Sequence, residues 1–460
     1  KNKKNDKGPS PVIFLLFLLS FSLLLLAGCL FSPLSKGSVE GYIYEKTAID
    51  TRPLEGALIS ITGSPNTALT DTDGYFRIDE VAIGARTLTI TKESYITYKI
   101  LSVVIKEDEI TLIDNGNPII VRALDDKYLF DGGIIYYNLE DYETAITTFQ
   151  QLIDNYSDSE YTDDAQYYIA WSYYNLNSYA QAITEFEKVI NNYPNSEFSD
   201  NAQYYIGYCY EKKLGYYIQA LLEYQKVIDN YPNSEFSDDA QLGIGNCYYA
   251  TKDYSHAIEA YQKVIDDYPE SSLLALSQYS IAQSYRKLAN YEQAILEFTK
   301  VIENYPESDY AAPAQYYIGY SHYLTQDYSQ AILEFHITID NYPDSTWPDE
   351  SERLIAPCAQ YYIGWCLGKK LEQWSDAISA FQLVIDNYPN STWSNGQEIP
   401  PDAQYYIGWC YEQLEQWSDA IIAYQKVIDN YPNSTWGGGS SIPADAHSRI
   451  DWINENHPPS

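Results

Sequence analysis

Residues 202–238, AQYYIGYCYEKKLGYYIQALLEYQKVIDNYPNSEFSD, decide the fold, because close copies of this stretch fill the chain after about residue 124. Its first part, AQYYIGYCYEKK, has large side chains at helical spacing around a small Gly207, where a neighbouring helix can approach closely. Its second part, YIQALLEYQKVIDNY, places apolar residues at i, i+4 and i+7 from Ala220. Pro232 cannot continue that helix, and polar turn residues follow it. The stretch therefore predicts two packed helices, here named A and B, and a turn.

The same register recurs eight times. The residue that opens helix A falls at Tyr128, Ala165, Ala202, Ala240, Ser277, Ala314, Ala359 and Ala403, so successive repeats are 37, 37, 38, 37, 37, 45 and 44 residues apart. A small residue lies in the middle of each helix A, at Gly133, Ala170, Gly207, Gly245, Ala282, Gly319, Gly364 and Gly408. Helix B carries an Ala followed four residues later by Phe or Tyr, and a Pro closes every repeat but the first, which has Ser157. The connection between helices A and B gains one residue in repeats three and seven.

This pattern resembles the tetratricopeptide repeat (TPR), which implies a mainly α superhelical solenoid of about eight helix pairs over residues 126–457. Residues 446–456 are expected to form a terminal capping helix. The long connection NYPNSEFSDDAQYYIG resembles periplasmic TPR proteins, particularly the BamD family of outer-membrane assembly lipoproteins and the C-terminal domain of the YbgF family. Those families have fewer repeats. The resemblance implies a location and a scaffold role, without a specific pathway.

The N-terminus has the layout of a targeting signal: basic KNKKNDK, an apolar run over residues 12–26, and then LAGC. LAGC resembles the bacterial lipobox, which implies that residues 1–28 are a cleaved signal peptide and that Cys29 carries lipids. Residues 29–36 would then form a tether. Leu30, in place of Asp, favours the outer membrane, facing the periplasm. The alternative is an uncleaved signal anchor. The absence of Met predicts that the start of the chain is missing.

Residues 37–122 change from helical to alternating periodicity, in segments such as SVEGYIYE, GALISITG and RTLTITKE. About seven short strands in this length predict a small β-sandwich. The segment resembles the carboxypeptidase regulatory-like domain, a transthyretin-like sandwich, which implies an accessory domain without catalysis of its own. Within it, Asp71-Thr72-Asp73-Gly74 resembles the start of a calcium loop, but position 12 of that loop is Ala82 rather than Glu. We expect a hairpin turn in which Gly74 adopts positive φ.

The sequence offers no catalytic constellation. Its five His are scattered, and no metal-ligand spacing, nucleophile motif or nucleotide fingerprint occurs, so we expect no enzyme, no cofactor and no metal site. Cys209, Cys247, Cys366 and Cys410 share one repeat position, which indicates a small buried side chain rather than a disulfide framework. The net charge of −36 argues against nucleic acid as a partner.

Recognition remains as the function. In the TPR family helix A lines the inner surface, at positions three residues before and one residue after the mid-helix small residue. These positions hold Tyr and Trp in five repeats: Tyr167 and Trp171, Tyr204 and Tyr208, Tyr316 and Tyr320, Tyr361 and Trp365, and Tyr405 and Trp409. Each pair is i, i+4 on one helical face. The pairs form either a partner-binding groove or contacts between repeats. Leu242, Asn246 and Gln283 interrupt the series in repeats four and five.

The connections after repeats six, seven and eight are longer, and they share Trp347, Trp393 and Trp436. Each Trp either contributes to binding or caps the adjacent helix pair. The leading hypothesis is a membrane-anchored, non-enzymatic scaffold that binds protein partners in bacterial cell-envelope assembly or division. The alternative is a surface lipoprotein that binds glycan or peptidoglycan through the aromatic side chains.

Overall fold

The structure is a computed structural model that describes residues 35–46, 51–92, 95, 97–122, 125–348 and 350–457. The predicted signal peptide, Cys29 and all but the end of the tether lie outside these residues. None of the helices within the described part of the chain is both long enough and apolar enough to span a membrane. The chain packs as two compact parts, residues 1–168 and 169–460.

The β region contains two sheets. The central strand of the first, β1 (Lys36–Lys46), pairs antiparallel with β2 (Thr51–Pro53) and β5 (Tyr75–Ala82), and parallel with β8 (Ile110–Leu112) and β9 (Ile119–Arg122). The second is antiparallel, in the order β4 (Thr67–Leu69), β3 (Leu58–Ile61), β6 (Gly84–Thr91) and β7 (Tyr98–Ile105).

Alternate residues of the two sheets form one apolar core, with Ile43 and Phe76 from the first sheet and Ile59, Leu88 and Ile105 from the second. This confirms the predicted β-sandwich. The described residues of the β region hold nine strands rather than about seven, because β2, β4 and β8 have three residues each and are too short to show an alternating pattern. Two further strands, β10 (Thr346–Trp347) and β11 (Glu350–Leu354), pair in the connection after repeat six.

The turn at residues 71–74 has the predicted backbone. Gly74 has φ 75°, and the Asp71 carboxylate accepts hydrogen bonds from the backbone N–H groups of Asp73 and Tyr75, each at 2.9 Å. The expectation of a hairpin was wrong in one respect. The turn joins β4 to β5, which belong to different sheets, so it carries the chain from one layer of the sandwich to the other.

The helices follow the predicted register, which confirms the TPR fold class. Helix A of repeats one to eight is Asp126–Asn138, Thr162–Asn175, Ser199–Tyr208, Ser237–Ala250, Leu274–Lys287, Ala311–Leu324, Ala356–Trp365 and Ile399–Gln413. Helix B is Tyr142–Asn155, Tyr179–Asn192, Tyr217–Asn230, Tyr254–Asp267, Tyr291–Asn304, Tyr328–Asn341, Trp374–Asn387 and Trp417–Asn430. The capping helix is Ile442–Asn456. These bounds do not by themselves test the predicted domain bounds, 37–122 and 126–457, which stay a prediction.

The small residue in helix A lets the helix B ring of the same repeat approach closely. A Cβ atom added to Gly207 would lie 2.8 Å from the Tyr224 ring, and one added to Gly408 would lie 2.7 Å from the Tyr424 ring. Real Cβ atoms do not come this close to a ring, so a larger residue would push the two helices apart. The recurring Gly is therefore a packing requirement.

Neighbouring repeats are joined by stacked rings wherever helix B carries Phe. The Phe of helix B stacks on a Tyr of the next helix A at centroid distances of 5.6 to 6.2 Å, in the pairs Phe149–Tyr168, Phe186–Tyr205, Phe298–Tyr317, Phe335–Tyr362 and Phe381–Tyr406. Offset stacking of this kind adds to the free energy of burial.

Where helix B carries Tyr, the next helix has no ring at that position. The pairs are Tyr224 with Gly243, Tyr261 with Ser280, and Tyr424 with Arg449. The buried hydroxyl instead donates a hydrogen bond, to Glu211, Asn246 and Glu412 respectively. A hydroxyl needs a polar acceptor that a stacked ring would exclude, so the two positions change together.

Helix A ends differently in repeats three and seven. The additional residue noted in the sequence lies in a π-helical turn, Cys209–Leu214 in repeat three and Cys366–Lys370 in repeat seven. The cysteines at the shared position are buried free thiols, as predicted, and burial raises the pKa of Cys209, Cys247, Cys366 and Cys410 to about 12.

Candidate binding surface

The ten predicted groove residues all lie on helix A, but they are not equally accessible. Tyr316 and Tyr361 are buried, with 6% and 7% of their surface exposed. The other eight are partly buried. Tyr167 belongs to the first compact part of the chain, and the other nine to the second.

The i, i+4 pairs make the expected contacts along one helix. Ring centroids lie 6.2 Å apart in the pair Tyr316–Tyr320 and 6.3 Å apart in the pair Tyr361–Trp365, and both pairs are stacked. The members of a pair therefore lie on one face, as the spacing indicates.

In four of the five pairs the earlier member contacts an aromatic residue of the following connection. Trp347, Trp393 and Trp436 meet Tyr316, Tyr361 and Tyr405 edge to face at centroid distances of 5.2, 5.0 and 5.0 Å. In repeat three, which has no long connection, Phe236 stacks on Tyr204 at 5.2 Å. The three Trp residues therefore cap their helix pairs.

A signal for this cap is present in the sequence. Four residues after each closing position stand Tyr161, Phe198, Phe236, Leu273, Tyr310, Trp347, Trp393 and Trp436, so the Trp residues occupy a position that is large and apolar in every repeat. The insertions that lengthen the last three connections come after this position.

Two of the three Trp residues are held by a carboxylate. The Trp393 indole N–H donates to Asp402 at 2.9 Å, and the Trp436 indole N–H donates to Asp445 at 2.6 Å. Burial raises the pKa of Asp402 to about 6. Trp347 differs in this respect. Asp402 and Asp445 directly precede the Ala that opens the next helix register, and after Trp347 the residue at that position is Cys358. The Trp347 indole nitrogen is buried without a hydrogen-bond partner among the described residues.

The later member of each pair is partly exposed and also packs between repeats. Trp171 and Trp365 meet the stacking Tyr of the next repeat, Tyr205 and Tyr406, at 4.5 and 5.0 Å. The Trp365 indole N–H also donates to the Tyr323 hydroxyl at 3.2 Å. Packing and partial exposure therefore coexist at this position.

Cations accompany these rings near the end of helix A, which the sequence reasoning did not identify. Lys213, Arg286 and Lys369 lie over aromatic rings in repeats three, five and seven. Lys369 Nζ is 3.7 Å from the Trp409 ring centroid, and burial lowers the pKa of this lysine. The signal was a basic dipeptide, KK, RK or KK, near the end of helix A in these repeats. The later aromatic residues Trp171, Tyr208, Tyr320, Trp365 and Trp409, with these three cations, are here named the helix-A surface.

Repeats four to six surround a cavity of about 460 Å³ where the aromatic series is interrupted. Asn246 and Gln283, two of the three interrupting residues, line it together with Arg286, Tyr317 and Arg353. The Arg286 side chain donates to Gln283 Oε1 at 2.9 Å, and its guanidinium carbon lies 4.6 Å from the Tyr317 ring centroid. The interruption thus exchanges an aromatic surface for a polar, cationic one.

The arrangement is suited to binding. Aromatic rings provide contact area, and cations held over them provide charge and hydrogen-bond donors. Across the described ranges, no group of three or more His, Cys, Asp or Glu side chains is placed to hold a metal ion.

Family models match three segments of the chain. Residues 122–271 match an outer membrane lipoprotein model (YfiO), and residues 38–114 match the carboxypeptidase regulatory-like domain. Residues 276–308, 313–345, 359–391 and 402–434 match a tetratricopeptide repeat model. The suspected TPR lipoprotein with an N-terminal carboxypeptidase regulatory-like domain is therefore confirmed at the level of these segments. No curated protein matches the chain.

Solved structures with similar folds include a tetratricopeptide repeat protein from Parabacteroides merdae, 11% identical, which covers 63% of this chain and 97% of that one at a TM-score of 0.39. The C-terminal part of a TPR repeat-containing protein from Cytophaga hutchinsonii is 17% identical, with coverage of 69% and 98% and a TM-score of 0.39. MamA from Desulfovibrio magneticus is 23% identical, with coverage of 39% and 93% and a TM-score of 0.32.

The repeats and the outer membrane lipoprotein-like segment support a protein-interaction scaffold. Both families are typically non-enzymatic, and the lipoprotein match suggests a cell-envelope protein.

Proposed function

We propose that this protein is a lipid-anchored, non-enzymatic scaffold of the bacterial cell envelope that binds protein partners in envelope assembly or division. The observation that carries the proposal is the helix-A surface, in which partly exposed aromatic residues share one repeat position and cations lie over rings near the end of helix A in repeats three, five and seven. A surface that repeats along a solenoid is suited to an extended partner.

The proposed location rests on two independent observations. The residues LAGC, which resemble a lipobox, follow an apolar run directly, and residues 122–271 match the outer membrane lipoprotein model. We infer that residues 1–28 are removed and that residues 29–36 tether the chain, at the outer membrane and facing the periplasm.

The contacts of the rings favour a protein partner over a glycan. A sugar ring binds an aromatic side chain by lying on its face. Here Lys369 lies over the Trp409 ring, and Arg286 lies over the Tyr317 ring. These positions offer a partner donors and positive charge, which peptide carbonyl and carboxylate groups accept. On this basis we propose the predicted groove residues as the binding site. The later member of each pair contacts the protein partner.

The experiment is a crosslinked pulldown from native envelope with the full chain, beside the double variant Trp365→Ala, Trp409→Ala. Leu383→Ala, Ile422→Ala is the matched control, because it removes two exposed apolar side chains from helix B of the same two repeats. Circular dichroism establishes that each variant keeps its helices.

We expect the wild-type chain and the control to enrich the same protein and the groove variant to lose it. Equal capture by the groove variant would refute the helix-A surface as the binding site. Retention on peptidoglycan without an enriched protein would replace the scaffold by the glycan-binding alternative.

A further inference from the structure

One site on the helix-A side of repeats five and six stands apart from the rest of the surface. Arg286, Tyr317, Trp347, Arg353 and Cys358 line a cavity of about 260 Å³. The first four of these side chains also line the cavity of about 460 Å³ described above, so the two cavities adjoin. The chain has a net charge of −36, so a cavity lined by two guanidinium groups departs locally from its predominantly negative charge.

The Trp347 indole N–H is an unsatisfied donor at this cavity. The side chain is 91% buried, and the nitrogen has no partner among the described residues. A buried donor without an acceptor destabilises the folded chain, because its hydrogen bonds to water are lost and not replaced. The indole donors of Trp393 and Trp436, which follow repeats seven and eight, are satisfied by Asp402 and Asp445 of the next helix. The helix that follows Trp347 has Cys358 at this position and lacks the carboxylate.

The two guanidinium groups are held by neighbouring rings. The guanidinium carbon of Arg286 lies 4.6 Å from the Tyr317 centroid, and that of Arg353 lies 4.6 Å from the Trp347 centroid. The two rings are themselves 5.6 Å apart. Arg286 donates to the neutral Gln283, and no ion pair of Arg286 occurs in the described part of the chain. The Arg286 guanidinium, stacked on the Tyr317 ring, keeps N–H groups along its edge for a carboxylate.

We propose that this cavity binds a carboxylate of a peptide partner. The bound carboxylate takes the position beside Trp347 that Asp402 takes beside Trp393 and Asp445 takes beside Trp436. The Arg286 guanidinium donates to the carboxylate, which also supplies the acceptor that the Trp347 indole lacks. Because the indole nitrogen is covered, the side chains over the ring, Arg353 among them, shift as the carboxylate enters. The inference rests on the proposed function, since it names the chemistry by which the scaffold recognises a protein.

A peptide is favoured over an acidic sugar for a geometric reason. The Tyr317 and Trp347 ring faces that a sugar would stack on carry the two guanidinium groups. Lys213 and Lys369 lie over rings near the end of helix A two repeats before and two repeats after Arg286, so cations recur along the solenoid. This spacing suits an extended acidic segment.

The probes are fluorescently labelled peptides with blocked ends, measured by anisotropy. Oligoglutamate supplies side-chain carboxylates, and oligoglutamine of equal length is the neutral match. Oligoglutamine with a free C-terminus tests whether the terminal carboxylate is the source. Labelled oligogalacturonate supplies carboxylates on a glycan. The acidic chain repels polyanions in general, so tight binding of oligoglutamate requires a local cationic site.

We expect a carboxylate peptide to bind at least about tenfold more tightly than blocked oligoglutamine, since a hydrogen bond to a charged group contributes on this scale. Arg286→Gln, Arg353→Gln should abolish the difference. Lys263→Gln, Lys426→Gln is the matched control, because it removes the same charge from exposed positions of helix B and should leave binding unchanged.

A second test places the missing carboxylate in the chain. Cys358→Asp should satisfy Trp347, occupy the cavity and weaken oligoglutamate binding about tenfold, whereas Cys358→Ala should bind as the wild type does. Equal affinity for the acidic and neutral peptides, unchanged binding by the arginine variant, or binding of oligogalacturonate alone would overturn the inference.

The outcome can be separated from that of the proposed function. If the arginine variant still captures the partner that the Trp365→Ala, Trp409→Ala variant loses, the scaffold stands and the carboxylate site fails. If the wild-type chain captures no protein, the proposed function fails, while the peptide titration still decides what the cavity binds.

Discussion

Asp402→Asn is expected to stabilise the protein at neutral pH. The Asp402 carboxylate accepts the Trp393 indole N–H at 2.9 Å, and an Asn oxygen can accept the same bond. Burial raises the pKa of Asp402 from 3.8 to about 6, which means that the folded protein holds this charge at a cost. Asn removes the charge and keeps the acceptor.

The size of the stabilisation by Asp402→Asn, and the direction in which it changes with pH, follow from the pKa shift of Asp402. A group whose folded-state pKa lies above its unfolded-state pKa makes the protein more stable as the pH falls from about 6 to about 4, because the folded state then binds the proton first. A shift of about two units corresponds to a penalty of about 3 kcal/mol at pH 7.5 and about 1.5 kcal/mol at pH 5. The gain in the free energy of unfolding from Asp402→Asn should therefore be smaller at pH 5 than at pH 7.5.

Urea unfolding followed by Trp fluorescence at these two pH values measures the free energy of unfolding of the variant and of the wild type. The contributions of the other titrating groups cancel in the difference between the two proteins. Asp445→Asn is the matched control, because Asp445 accepts the Trp436 indole N–H in the same way but is exposed. Asp445→Asn should stabilise the protein less than Asp402→Asn does at pH 7.5, because an exposed carboxylate keeps its contact with water. An advantage of Asp402→Asn that stays constant with pH, or an equal advantage of Asp445→Asn at pH 7.5, would refute the reasoning that burial sets this cost.

Three further changes test the packing. Gly408→Ala should destabilise the protein by about 1 to 3 kcal/mol, because the added Cβ would lie 2.7 Å from the Tyr424 ring, whereas Gly438→Ala, with nothing within 4 Å, should change urea unfolding little. Ala289→Gly should raise the thermal midpoint by the equivalent of about 0.5 to 1 kcal/mol, since Ala289 has φ 58°. The Cys410 thiol, whose pKa burial raises to about 12, should resist iodoacetamide at about pH 8 until urea exposes it, as mass spectrometry would show.

Much of the fold could be predicted because each repeat carries its own instructions. The spacing of large residues specifies helices, Gly207 and its equivalents specify where two helices touch, and Pro232 and its equivalents end helix B. These are short-range effects that recur eight times. In the β region the same reasoning missed short strands and the change of sheet at Gly74, because strand pairing depends on distant segments.

The candidate site was only partly predictable. Periodicity identified the helix face that carries Tyr316 and Tyr320, but not that Trp347 would cover the first and leave the second partly exposed. It also gave no sign that the basic dipeptides would place cations over rings. Exposure depends on what the neighbouring repeat contributes, and that contribution is not visible in one helix.

By itself, the sequence determined that this protein is a β-sandwich followed by a TPR solenoid, since hydrophobic period and turn residues act within a few positions of one another. Only the tertiary structure decided which of several adjacent aromatic residues pack and which remain accessible. It also decided that Trp347 lacks the carboxylate that Trp393 has, beside Arg286. The physical reason is that burial and hydrogen bonding are settled between repeats, among side chains far apart along the chain.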